Sequence, residues 1–61
     1  MFEYTKQILT KVSFDKSLFR KELTKAMRML KRSDRRLLKI WCFATFTAYS
    51  DVILDVFRKF H

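Results

Sequence analysis

Residues 11–31 read KVSFDKSLFRKELTKAMRMLK, and this stretch decides the fold class. Asp15 is a short hydrogen-bond acceptor placed just ahead of Phe19, Leu23, Ala26, Met27 and Leu30, which recur every three or four positions. That is the period of a helix with one apolar face, opened by a capping side chain. With Asp15 as the cap, Phe14 stands immediately before it and Phe19 at the fourth helical position, the spacing of a hydrophobic staple. The pattern predicts a helix over 16–31. At about 100° per residue, Lys21, Lys25, Arg28 and Arg32 fall within roughly 60° of one another on its opposite side.

Working outward, the chain contains no glycine and no proline, so turns lose their favoured residues and helix becomes the default. Boundaries must then be read from capping residues, and Ser33-Asp34 and Ser50-Asp51 join Ser13-Phe14-Asp15 as candidates. A first helix over 2–11 carries Ile8 and Leu9, with Val12 just beyond. A third over 34–47 carries Leu37, Leu38, Ile40, Trp41 and Ala44, with Ala48 following. A fourth over 51–60 carries Val52, Ile53, Val56, Phe57 and Phe60. Ser50-Asp51 is a weak stop, so the last two are either separate or one kinked helix. The expected architecture is a single all-α domain over 1–61, a small bundle of three to four short helices joined by tight Ser/Asp-capped turns.

With 61 residues, the chain buries only about 60% of the surface its unfolded form exposes. One cysteine, Cys42, excludes an intrachain disulfide. Compensation must come from packing, and seven Phe, two Tyr and one Trp supply it. An apolar fraction of 49% argues against disorder despite the net charge of +8. No basic leader with an apolar run opens the chain, and the uncharged stretch 40–50 is about half of the roughly 20 residues a spanning helix needs. A soluble, cytoplasmic protein without a transmembrane segment is the expectation.

The charge is concentrated in the middle of the chain. Residues 16–39 hold ten basic side chains against Glu22 and Asp34, while the flanking segments are each formally neutral. Lys21, Lys25, Arg28 and Arg32 form one stripe along the second helix, broadened by Arg20 and Lys31; the turn adds Arg35 and Arg36, and Lys39 follows one helical turn later. A merely solubilising surface mixes signs and gains pairs between positions i and i+4. Here few are offered: Lys25 and Arg20 lie near Glu22, and little else does. Those eight side chains, Lys21 to Lys39, are the candidate nucleic-acid-binding residues.

Several phosphates met at once would release counterions, which favours nucleic acid as the ligand. RNA fits better than a base-read DNA site. Beyond Lys39 the third helix presents Ile40, Trp41, Cys42 and Phe43, which cannot read base edges in a major groove. Recognition of backbone or shape, as on ribosomal RNA or another polyanion, is what these residue types allow. The alternatives are an acidic protein surface, self-association through Phe43, Phe46 and Tyr49, or peripheral binding to an anionic membrane.

Other residues point to structure rather than chemistry. Cys42 sits between Trp41 and Phe43, as a buried thiol would. One Cys and one His, His61, cannot make a four-ligand zinc site within the chain. Trp41 reads as core packing before it reads as a stacking platform, and Met27 and Met29 as helix filler. Asp51 and Asp55 stand one turn apart with no glycine loop or partner base to make them catalytic. The expectation is a non-enzymatic protein with no metal, no cofactor and no small-molecule substrate.

Lys11-Val12-Ser13-Phe14-Asp15, Leu18-Phe19-Arg20-Lys21-Glu22-Leu23 and Leu38-Lys39-Ile40-Trp41-Cys42 resemble a family of short helical proteins widespread in Bacteroidota, over residues 1–58. The resemblance implies a small helical chain and brings no assigned activity and no functional residues. Arg35 and Arg36 depart from it, since similar proteins tend to be acidic or mixed there.

Overall fold

The computed structural model describes residues 2–60 as four α-helices and one short 3-10 turn, with no strand among them. Helix α1 spans Phe2–Lys11, α2 Lys16–Met29, α3 Arg32–Thr45 and α4 Ser50–Arg58, with the 3-10 turn η1 at Thr47–Tyr49. The protein is a small all-α bundle.

Asp15 caps α2 as its position predicts: its side chain accepts hydrogen bonds from the backbone N–H groups of Ser17 and Leu18 at 2.9 and 3.2 Å. The staple is not made. Phe19 is fully buried, but Phe14 is 78% exposed, so the turn is held in another way. The Tyr49 hydroxyl donates to the Ser13 carbonyl and ties this turn to η1. Phe19 itself meets Phe46 edge-on at 4.9 Å and Tyr49 at 5.0 Å. The ring cluster thus joins α2 to the chain between α3 and α4.

The second turn differs from the expectation. α2 stops at Met29, and Leu30 and Lys31 are extended, with φ/ψ of −88°/146° and −75°/165°. Two extended residues redirect the chain without glycine, and none of the described residues takes positive φ. The break lets Leu30 enter the core, where it is 4% exposed. α3 therefore begins at Arg32, two residues before the predicted start. Neither Ser33 nor Asp34 is its cap: Lys31 holds that position and makes no side-chain capping bond. Asp34 instead lies in the first turn, where a carboxylate complements the helix dipole.

The last two helices are separate. Phe46 leaves the helical region at φ −117°, ψ 61°, and the axis bends by 111° between Arg32–Thr45 and Thr47–Arg58. Among the described residues no single helix is long and apolar enough to cross a membrane. Tyr49 precedes α4 without a side-chain cap, so of the three Ser/Asp sites only Asp15 caps a helix with its side chain.

The bundle closes on α2 and α4, which share the most extensive contact. α2 contributes Phe19, Leu23, Ala26 and Met27, and α4 contributes Val52, Ile53, Val56 and Phe57. α1 adds Leu9 and α3 adds Leu38 and Cys42. Trp41 is half-buried and packs edge-on against Phe46 at 5.2 Å. α3 buries less than its sequence suggests, because Leu37 and Ile40 are 53% and 64% exposed and Ala44 is exposed too. Ala48, in η1, is likewise exposed. The helix presents a mixed apolar and basic side outward.

Candidate nucleic-acid interface

The molecule uses its own carboxylates selectively. Asp51 and Asp55 of α4 reach across to α2, where Asp51 pairs with Lys16 at 2.9 Å and Asp55 with Arg20. Asp55 also lies 3.8 Å from Lys59. The carboxyl of Asp51 is held below its ordinary range first by the hydrogen bond from Lys16, and that of Asp55 first by the hydrogen bond from Arg20. The two aspartates one turn apart are therefore a clamp on α2. Asp15 caps, and Glu3 pairs with Lys6 at 3.4 Å. Glu22, expected near Lys25 and Arg20, forms an ion pair with neither among the described residues.

The consequence for the eight candidates is direct. Lys21, Lys25, Arg28, Lys31, Arg32, Arg35, Arg36 and Lys39 carry no ion pair among the described residues. All are exposed except Arg35, which is half-buried.

The single stripe expected along α2 is instead two basic surfaces. Lys21, Lys25 and Arg28 line a trough of about 430 Å³ along α2 with Arg20, Ser17 and Thr24. Arg32 belongs to α3, not α2, because the helix ends at Met29. With Arg35, Arg36 and Lys39 it rims a groove of about 370 Å³ whose floor is Met27, Phe57 and Phe60. Lys31 stands exposed at the corner between them and lines neither. The molecule measures 26 Å in its longest dimension, more than the Debye length of about 8–10 Å, so the charges of each surface act chiefly on the part of a ligand that lies against it.

Packing four like charges onto the start of one helix has a cost. Arg32–Arg36 and Arg35–Lys39 are four apart, Arg32–Arg35 and Arg36–Lys39 three apart, and α2 adds Lys21–Lys25 and Lys25–Arg28. At roughly 0.2–0.5 kcal/mol each, these repulsions total on the order of 1–3 kcal/mol. Small domains have only about 0.05–0.15 kcal/mol per residue of net stability, so the penalty is substantial. An anion docked on the surface would remove it.

Periodicity places Met27, Phe57 and Phe60 on apolar helix faces, and nothing in the sequence marks their part in the groove. Met27 and Phe57 are buried, while Phe60 is half-buried and has the Arg35 guanidinium 5.8 Å from its ring centre. The Nε of Arg35 is buried and makes no hydrogen bond.

The remaining candidates behave as structure. Cys42 is fully buried, and desolvation pushes its thiol up to about 12. Among the described residues no group of three or more His, Cys, Asp or Glu could hold a metal ion; His61 lies outside them. Tyr49 is committed inward through Ser13 and Phe19, and Phe43 and Phe46 pack against the core. Surplus apolar surface is found instead at Phe14, Ile40, Tyr4, Met29, Leu37 and Leu54. Compared with protein families, curated proteins and solved structures, the chain matches none.

Proposed function

We propose that the protein is a non-enzymatic binder of RNA that docks on the phosphate backbone through the basic surfaces of α2 and α3. The observation that carries this reading is the division of charge. The chain's own aspartates tie down Lys16 and Arg20, and eight further cations remain without carboxylate partners among the described residues. Flexible ammonium groups along α2 suit a point-charge role toward phosphates, and the arginines at the start of α3 suit forked hydrogen bonding to phosphate oxygens.

The test compares two double charge reversals with equal change in net charge. Arg28→Glu with Arg32→Glu alters the proposed surface, and Lys11→Glu with Lys59→Glu alters charge elsewhere. Fluorescence anisotropy with a structured RNA is expected to show a large loss of affinity for the first pair and a small one for the second. Equal losses would mean that net charge alone attracts RNA, and the reading would fail.

A second reading rests on the outward side of α3, where exposed Leu37 and Ile40 accompany Arg36 and Lys39. That mixture suits an acidic amphipathic partner or an anionic lipid surface. Leu37→Ser with Ile40→Ser separates it from the first, since it removes apolar surface without changing charge and should abolish binding to protein or vesicles while RNA affinity stays nearly unchanged.

A further inference from the structure

The two basic surfaces are chemically unlike. The α2 trough offers ammonium, guanidinium and hydroxyl groups, including Lys21, Thr24 and Arg28, and no aromatic ring. The α3 groove sets a cationic rim over an apolar, aromatic floor. A third cavity of about 400 Å³ between α1 and α2 includes Tyr4 and Lys25 but also the carboxylate of Glu22, which repels phosphate. The α3 groove combines exclusively cationic charge with an aromatic floor; a neighbouring cavity of about 250 Å³ lined by Lys39, Leu54, Phe57 and Arg58 does so too, but its ring is the buried Phe57.

We propose that the groove between the start of α3 and the end of α4 receives one unpaired nucleotide of the bound RNA, with the base against Phe60 and its phosphate on Arg32 and Arg36. This deepens the backbone-binding reading and rests on it. Bases present a π-face to an aromatic ring and their phosphates to flanking cations, which is how single strands are held without sequence readout. The groove's volume of about 370 Å³ lies within the roughly 300–1,000 Å³ of small-ligand sites. The Arg35 guanidinium lies 5.8 Å from the Phe60 ring centre, and the base takes its place there when the guanidinium moves aside. Its unpartnered Nε is a donor that a base carbonyl or phosphate oxygen satisfies once the ligand displaces the guanidinium from its resting place. Buried donors without partners call for an account of this kind.

The chemistry distinguishes unpaired from paired RNA. A duplex keeps its bases stacked on one another and offers the groove only backbone, whereas a single strand offers both parts. Stacking of one base is worth about 5- to 150-fold in affinity.

The test uses the full chain and three probes of equal length and labelling: oligoadenylate, a ribose-phosphate strand lacking bases, and an A-form duplex. Binding is read by anisotropy with the wild type, Phe60→Ala and Phe60→Leu, the last keeping apolar packing while removing the ring. Circular dichroism checks that each variant is folded. The expected result is that oligoadenylate binds at least about 5-fold tighter than the abasic strand, and that Phe60→Leu makes the two equal. Equal binding of the abasic strand by the wild type, or a preference untouched by Phe60→Leu, would overturn the nucleotide site and leave backbone binding standing. A duplex whose affinity falls with Phe60→Leu as much as that of oligoadenylate would also overturn it. Failure of all three probes to bind would remove the backbone reading, and this one with it.

Discussion

Asp15 opens α2 by accepting from two backbone N–H groups, so Asp15→Ala should lower stability by about 1 kcal/mol in urea denaturation. Ser33→Ala should change little, because Ser33 is an exposed residue inside α3 and caps nothing. An equal cost for the two would place the cap elsewhere. Cys42 gives a pH prediction. Its folded-state pKa lies near 12, above the unfolded value of about 8.5. The neutral buried thiol therefore contributes stability that is fully present below the unfolded value and declines as pH rises between the two. Thiol alkylation should be slow in the native state and should follow the unfolding equilibrium; fast labelling under native conditions would contradict burial. At this scale the sequence was informative where one residue met its own neighbours in the chain, as at Asp15 and Cys42. It was misleading at Phe14, since the spacing of a staple says nothing of the Tyr49 hydroxyl that reaches the same turn from 36 residues away.

At the scale of elements, an all-α bundle and the order of its helices were legible from apolar periodicity and the absence of glycine and proline, whereas the weak stop at Ser50-Asp51 did not decide between two final helices and one kinked helix. The turn between α2 and α3 was not. Leu30 continues the apolar face of α2 and is buried as that face predicts, and only the extended backbone of Leu30 and Lys31 shows that the chain turns there. Moving Arg32 onto α3 converts one stripe into two surfaces and gathers four cations in two turns. This crowding predicts opposed effects for Arg36→Glu, which sets a carboxylate one turn from both Arg32 and Lys39. The free protein should gain stability, read as a higher Tm, while RNA affinity falls. Loss of stability, or unchanged affinity, would argue against a surface held under repulsion for binding. The clamp of α4 on α2 makes a second prediction. Asp51 and Asp55 have folded-state pKa values depressed below the ordinary carboxylate value by Lys16 and Arg20. Their contribution is present above the unfolded pKa and is lost as pH falls through the lower folded one. The decline in stability below about pH 4 should be shallower in Asp51→Asn with Asp55→Asn; an unchanged acid limb would show that the two pairs contribute nothing.

For the molecule as a whole, a net charge of +8 on 61 residues implies self-repulsion that salt screens. Raising the salt concentration from a few millimolar toward about 0.15 M should therefore increase the Tm of the free protein. A falling Tm would mean that the ion pairs of α4 with α2 outweigh the repulsion among the eight cations. The same screening weakens the complex, because binding to phosphates is driven by release of the counterions they hold. The decisive measurement is thus the affinity for a single-stranded RNA at several salt concentrations. If about six of the eight side chains meet phosphates, the logarithm of the association constant should fall against the logarithm of salt with a slope of about −4. A slope near zero would contradict the account, since no complex that neutralises phosphates can be indifferent to salt.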